Sequence, residues 1–278
     1  PRNILKNGEI GSLDDFIAAV KSHFADQGRK IVFISEANSS PTFNGIKQKA
    51  ERQFNNASWV SFEPFSEENA LLGTEMALGE PLRAYMKVAD ANVVLSLNDD
   101  FMGATHPNNV DYAKQFSSRR KSVDTDGSMN RLYVVEDAFS ITGSSADNRL
   151  KLKASQIEAF TYALAAELST RTGGLNAFSG VTNEFSGHEW ISALADDLMD
   201  NRSQCVVTAG LQHGPQVHAA VAAINLALGN LNNTVSYHRV PHLTEGFSTS
   251  AFENAISGID EETTVVLIGT NPAYSAYS

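Results

Sequence analysis

The chain has 278 residues at 30.0 kDa, with 42% hydrophobic and 19% charged residues and a net charge of −11. That length allows one large domain or two modest ones, each with a proper core. The acidity argues against a nucleic-acid partner, which needs a basic face, and is the ordinary solubility charge of a globular protein. A single cysteine, Cys205, excludes an internal disulfide and any cysteine-ligated iron–sulfur cluster held by this chain alone. No apolar run approaches the ~20 residues of a membrane span. No leader opens the sequence, and its ends, Pro1 and Asn271-Pro272-Ala273-Tyr274, read as those of a piece of something longer.

Ser12 is an expected N-cap for a helix with acids in its first turn and an apolar stripe of Leu13, Phe16, Ile17 and Val20, ending at Gly28. A strand is expected over residues 31–34. The polar loop 35–42 then leads into a helix over 43–54. Such a loop can cradle an anion on helix amides, but it lacks the glycines of a dinucleotide fingerprint. Residues 59–62 read as the next strand, followed by the polar loop 63–69.

The apolar run 91–97 reads as a buried strand ending in Asn98-Asp99-Asp100, with His106-Pro107 beyond. Adjacent carboxylates suit acid/base work or cation binding; hydrogen bonding within the loop is the preferred reading. A helix over 112–116 runs out in Arg119-Arg120-Lys121, cations that suit a helix end and can also grip phosphate. A turn is expected over Asp124–Ser128. Residues 132–135 form a further buried strand that delivers Glu136 to its carboxyl end, then a loop turning at Gly143. From about Ser155 a helix presents Phe160, Leu164 and Leu168 on one face. A strand that ends in a carboxylate and feeds a helix is how open α/β sheets build nucleotide crevices.

Gly173-Gly174 breaks the chain, and the Gly-, Ser- and Asn-rich segment to Gly187 reads as a loop before a helix over 188–199. The strand 205–208 puts Cys205 in a core, as a small hydrophobe rather than a reactive thiol. His213 and His218 suggest a metal pair, with no third ligand evident. A helix over 219–228 closes at Gly229-Asn230, and the last strands are expected over 235–237 and 264–268.

The stretch from Met129 to Glu136, with Thr142, Ala146-Asp147, the apolar Leu150 to Leu152 and Lys153 to Gln156, resembles the molybdopterin oxidoreductase family. There a strand ends in Asp-Pro-Arg and is followed by Thr, Ala-Asp, an apolar segment and Pro-Gly-Thr-Asp opening a helix. The wording Met-Asn-Arg-Leu-Tyr-Val-Val-Glu looks most like the cofactor-less relative, the molybdopterin-like domain within the large iron–sulfur subunit of bacterial alternative complex III. Asn98-Asp99-Asp100 stands where the family has a Gly-x-Asn-Pro loop, a wording that survives at Gly269-Thr270-Asn271-Pro272. Active members carry a metal-ligating cysteine, selenocysteine or other side chain in the region that corresponds to residues 59–69, which has no cysteine here. Ser61, Ser66 and Glu67 could coordinate a metal, but surface polar residues are the preferred reading.

Strands alternating with helices predict an α/β fold of mainly parallel sheet. The resemblance implies two Rossmann-like lobes, residues 1–58 with 171–278 and an inserted lobe over 59–170. It also implies a non-catalytic, cofactor-less domain that packs against other subunits of a membrane-bound respiratory complex. That complex would lie on the periplasmic side of the bacterial inner membrane, with iron–sulfur clusters in a part of the protein beyond this chain. Molybdopterin is not expected. The remaining crevice candidates are Asn98, Asp99, Glu136 and Asn271. The alternatives are a fragment of an active molybdenum-pterin oxidoreductase and a nucleotide- or small-ligand-binding module.

Overall fold

A computed structural model describes residues 3–25, 28–121, 129–240 and 249–276; the turn expected over Asp124–Ser128 lies outside them. The chain opens with a short antiparallel pair, β1 (Ile4–Lys6) and β2 (Glu9–Gly11), and then α1 (Leu13–His23). Ser12 caps α1 in a reciprocal capping box with Asp15, satisfying amides the helix cannot. The helix stops at His23, well short of Gly28. Next come β3 (Ile31–Ser35), α2 (Pro41–Gln53), entered through a Ser40 cap with Pro41 in its first turn, and β4 (Ala57–Ser61). The middle of the chain runs α3 (Glu68–Leu78), β5 (Leu82–Met86), β6 (Val93–Leu97), α4 (Asn109–Ser118) and β7 (Arg131–Glu136). It continues through α5 (Ile141–Ser144), β8 (Asn148–Lys151), α6 (Ile157–Thr172), α7 (Glu189–Asp200), β9 (Cys205–Ala209), α8 (Pro215–Ala227) and β10 (Val235–Arg239). The last elements are α9 (Thr249–Ser257), β11 (Thr264–Ile268) and α10 (Pro272–Ser275).

The fold is α/β with mainly parallel, Rossmann-like sheets, and it divides into two units. Unit 1 is Pro1–Phe65 with Pro241–Ser278, and unit 2 is Ser66–Val240. This division differs from 1–58 with 171–278 against 59–170. Strand β4 pairs with β3, which keeps residues just past 58 in unit 1. Strand β9 pairs in parallel with β6, and α7 and α8 pack against α6, so the chain from 171 to 240 completes unit 2.

Unit 2 is built on the parallel sheet β8-β7-β6-β9. Strand β6 is buried along its whole length because it is covered on both faces. Val93, Leu95 and Leu97 face a core made with Ile157, Phe160, Leu164 and Leu194, while Val94 faces Phe101, Tyr112, Phe116 and Leu132. This is the period-two alternation of a strand. The free edge of β9 is covered by side chains: the Asn225 amide bonds both the N–H and the C=O of Val207, and the Thr234 hydroxyl donates to the Cys205 carbonyl. Cys205 is buried, and burial pushes its thiol up to about 11. Strands β5 and β10 form a separate antiparallel pair.

Unit 1 carries the parallel sheet β11-β3-β4. Strand β3 is fully buried, and two small clusters, one around Val32, Ile34 and Phe252 and one around Phe33 stacked on Trp59, make its core. Helices α1 and α2 contain no buried residue, and Leu13 and Phe16 are more than half exposed. Val265 and Leu267 on β11 are exposed as well.

Candidate functional site

In an open parallel sheet, ligands gather outside the carboxyl ends of strands, where the strand order reverses. In unit 2 the chain steps outward from β6 to β7 and β8, then returns to β9 on the other side of β6, so the reversal lies between β6 and β9. Asn98 and Asp99 leave β6 at that point, and Thr208 and Ala209 end β9 beside them. Asn98 takes a left-handed backbone, φ 56°, which asparagine tolerates better than most residues. Its carbonyl accepts a bond from the Gln212 side chain at 2.6 Å, and its amide donates to the Val135 carbonyl at 2.7 Å. A Cβ at Gly210 would fall 2.2 Å from that same carbonyl, so the close approach of the two strand ends requires glycine there.

Asp99 is buried, with its amide on the Ser96 hydroxyl and Oδ2 accepting from Thr208 Oγ1 at 2.6 Å. Oδ1 lies 3.9 Å from His106 Nε2. Burial pushes the Asp99 carboxyl above the usual carboxylate range, helped by neighbouring Asp100 and opposed by His106 and the Thr208 bond. Asp99 faces a cavity of about 210 Å³ that also takes in His106, Tyr112, Thr208 and His218. His218 is buried, and its Nε2 has no hydrogen-bond partner. Burial, with a smaller push from His213, lowers its imidazole to about 4. His213 is likewise buried, lowered by burial and unpartnered at Nε2. Among the described residues, no group of three or more His, Cys, Asp or Glu is placed to hold a metal ion.

At the carboxyl end of β7 the polar groups answer one another. Glu136 is buried and accepts from Arg149 Nε at 2.5 Å and from the Ser140 hydroxyl at 2.5 Å. Asp100 accepts from the Thr142 amide at 2.8 Å, the Thr142 hydroxyl accepts from the Met102 amide, and the Gly143 amide bonds the Ser140 hydroxyl. A Cβ at Gly143 would overlap the Glu136 carboxylate at 1.9 Å. The Thr142 and Gly143 amides at this strand end, groups of the kind that bind phosphate, are thus bonded within the protein to Asp100 and Ser140.

Asn271 belongs to unit 1, so the four crevice candidates do not form one site within either unit. It stands at the N-terminus of α10, where its carbonyl accepts from the Ser275 amide and hydroxyl. With Glu36, Glu63 and Tyr274 it lines an open hollow of about 520 Å³ beyond the ends of β3 and β11, the point at which the order of that sheet reverses. Glu67 pairs with Arg83 through two bonds of 2.7 and 2.5 Å, and the Ser66 hydroxyl accepts from the Glu68 amide. Arg119 and Arg120 serve the fold: Arg119 bonds the Ala89 carbonyl and Asn92, and Arg120 bonds Asp147 and Asn130. Sequence reasoning missed the cavity wall formed by Leu71 and Met86 on α3 and β5, and the part played by Thr208.

No protein-family model matches the chain, and no curated protein sequence matches it. Among solved structures it is similar to a chain of the formyltransferase/hydrolase complex (FhcABCD) from Methylorubrum extorquens in complex with methylofuran, at 12% identity and TM-score 0.54, covering 94% of this chain and 60% of that one. It is also similar to acetylene hydratase from Pelobacter acetylenicus, at 12% identity and TM-score 0.54, covering 82% of this chain and 34% of that one. The chain thus spans less than two thirds of either. At this identity the likeness is one of fold, consistent with the molybdopterin-enzyme-like architecture that the sequence resembles.

Proposed function

We propose that this chain is a non-catalytic, molybdopterin-oxidoreductase-like domain that serves as a scaffold in a respiratory quinol:electron-acceptor oxidoreductase. It packs against other subunits and supports a separate iron–sulfur domain, on the periplasmic side of a bacterial inner membrane. The observation that carries the reading is the uncovered apolar surface of unit 1: Leu13, Phe16 and Ile17 along one stripe of α1, and Val265 and Leu267 on β11. Apolar surface gathered on regular elements marks contact with another protein. The closed end of β7 supports the second half of the reading, because the amides that would hold a nucleotide cofactor are bonded to Asp100 and Ser140. No helix among the described residues is long and apolar enough to cross a membrane.

The test is elemental and pterin analysis of the full-length protein purified in its native assembly. Iron without molybdenum, tungsten or pterin, together with co-purifying subunits, is the expected result. Stoichiometric molybdenum or tungsten with pterin would overturn the reading and make this a domain of an active enzyme.

A further inference from the structure

The cavity at the β6–β9 reversal holds polar atoms that the fold leaves unused, and their chemistry selects a ligand. His218 is among the residues that line the cavity; it is more than nine-tenths buried, and its Nε2 has no hydrogen-bond partner. In a neutral ring whose other nitrogen carries the proton, Nε2 is an acceptor. Asp99 commits Oδ2 to Thr208 and leaves Oδ1 without a hydrogen bond, 3.9 Å from His106. The lining also includes the apolar Leu71, Met86, Val221, Ala222 and Val235. The cationic side chain in the lining, Arg83, is committed to Glu67 by its two bonds.

An unpaired buried acceptor and a buried carboxyl are costly features that natural proteins keep for a reason. A ligand that relieves both must donate hydrogen bonds, carry positive charge and present an apolar body. We propose that this cavity binds a small primary amine as its ammonium, with the head on Asp99 and His218 and the body against Leu71, Met86 and Val221. The ammonium supplies the countercharge that a buried carboxylate requires, and the acidic chain draws cations towards it. The volume exceeds the ~150 Å³ cavity that admits benzene in another protein, so a body the size of one aromatic ring fits. Gly73 supports the geometry: a Cβ there would lie 2.4 Å from that of His218, so glycine on α3 lets α8 approach and sets the imidazole in place.

The site is independent of the scaffold reading, since it needs neither a partner nor a metal. Calorimetric titration at neutral pH with benzylamine, benzyl alcohol and benzoate, three ligands of one size with cationic, neutral and anionic heads, tests it on the unaltered chain. The expected result is one benzylamine per chain, benzyl alcohol at least about tenfold weaker and no heat from benzoate. Asp99→Asn and His218→Gln should each weaken benzylamine about tenfold or more while leaving the circular dichroism spectrum unchanged. No heat from benzylamine, equal affinity for the alcohol, or full affinity in both variants would overturn the proposal.

Discussion

Units 1 and 2 repeat one device, a parallel sheet whose strand order reverses at a buried central strand, and they finish it in opposite ways. In unit 2 the strand β6 is covered on both faces, and apolar side chains from α6, α7 and α8 fill one side of the sheet. In unit 1 the central strand is equally buried, yet β11 and the apolar stripe of α1 face outward. The hollows differ as well: that of unit 1 is open and shared by Glu36, Glu63 and Asn271, while that of unit 2 takes in the buried Asp99, Tyr112 and His218. Unit 2 thus buries its apolar side chains around its own sheet, while unit 1 leaves those of α1 and β11 exposed.

Breaking the closed network of unit 2 should give the largest effect. Arg149→Leu leaves the Glu136 carboxylate, only 2% exposed in its side chain, bonded to the Ser140 hydroxyl with no countercharge. The expected loss is roughly 4 kcal/mol in urea unfolding, as for one partner removed from a buried pair. A loss under about 1 kcal/mol would mean that Ser140 and the neighbouring amides alone sustain the charge. Core truncation separates the two units more directly. Leu194→Ala, at a fully buried site on α7, should cost roughly 3 kcal/mol. The corresponding Val265→Ala on exposed β11 should cost less than about 1 kcal/mol. Equal losses would erase the distinction.

The imidazole in the cavity sharpens it further through pH. His218 binds its proton at about 4 in the folded chain, against an ordinary histidine near 6.5. The unfolded chain therefore binds more protons between those values, and stability falls as pH drops through this window. At pH 5 the loss attributable to His218 is about 2 kcal/mol. Asp99, raised by burial, acts with the opposite sign, and His213, lowered by burial, with the same sign. The measurement is therefore the difference between the unaltered chain and His218→Leu, followed by urea unfolding from pH 7 to pH 4. The variant should gain about 2 kcal/mol relative to the unaltered chain on going from pH 7 to pH 5. A constant difference across the range would show that the ring is solvated.

Much of the sheet was legible in the sequence because its strands are short, continuous apolar runs. Residues 264–268 are β11 as expected, and 31–34, 132–135 and 205–208 lie inside β3, β7 and β9. The cap at Ser12 was legible for the same local reason. Helix α3 was not. Leu71 is buried while Leu72 and Met76 are exposed, and Gly73 at its centre reads as a breaker, although tertiary packing against α8 is what calls for it. Strand β5 pairs antiparallel with β10, a partner far along the chain, which no local pattern announces. These two elements wall the cavity. Asp99 could thus be singled out as a strand-end carboxylate, but its companions, Thr208 from β9 and His218 from α8, come together only through the crossover that returns β9 beside β6. That crossover also moved the unit boundary from 171 to 241.

The smallest expected effect on stability bears most on function. Phe16 sits in the α1 stripe, 52% exposed, and the helix has no buried residue. Phe16→Ser should change the stability of the isolated chain by no more than about 0.5 kcal/mol, since little apolar area is restored to water. If α1 is covered in the assembled protein, the same substitution leaves an aromatic-sized void in the contact and should weaken subunit retention on native gels severalfold. Val265→Ser on β11 is the companion variant on the other uncovered element. Retention lost with Phe16 and kept with Val265 places the partner on the helix, and the reverse places it on the strand. Full retention in both would remove the reason for reading unit 1 as the contact face.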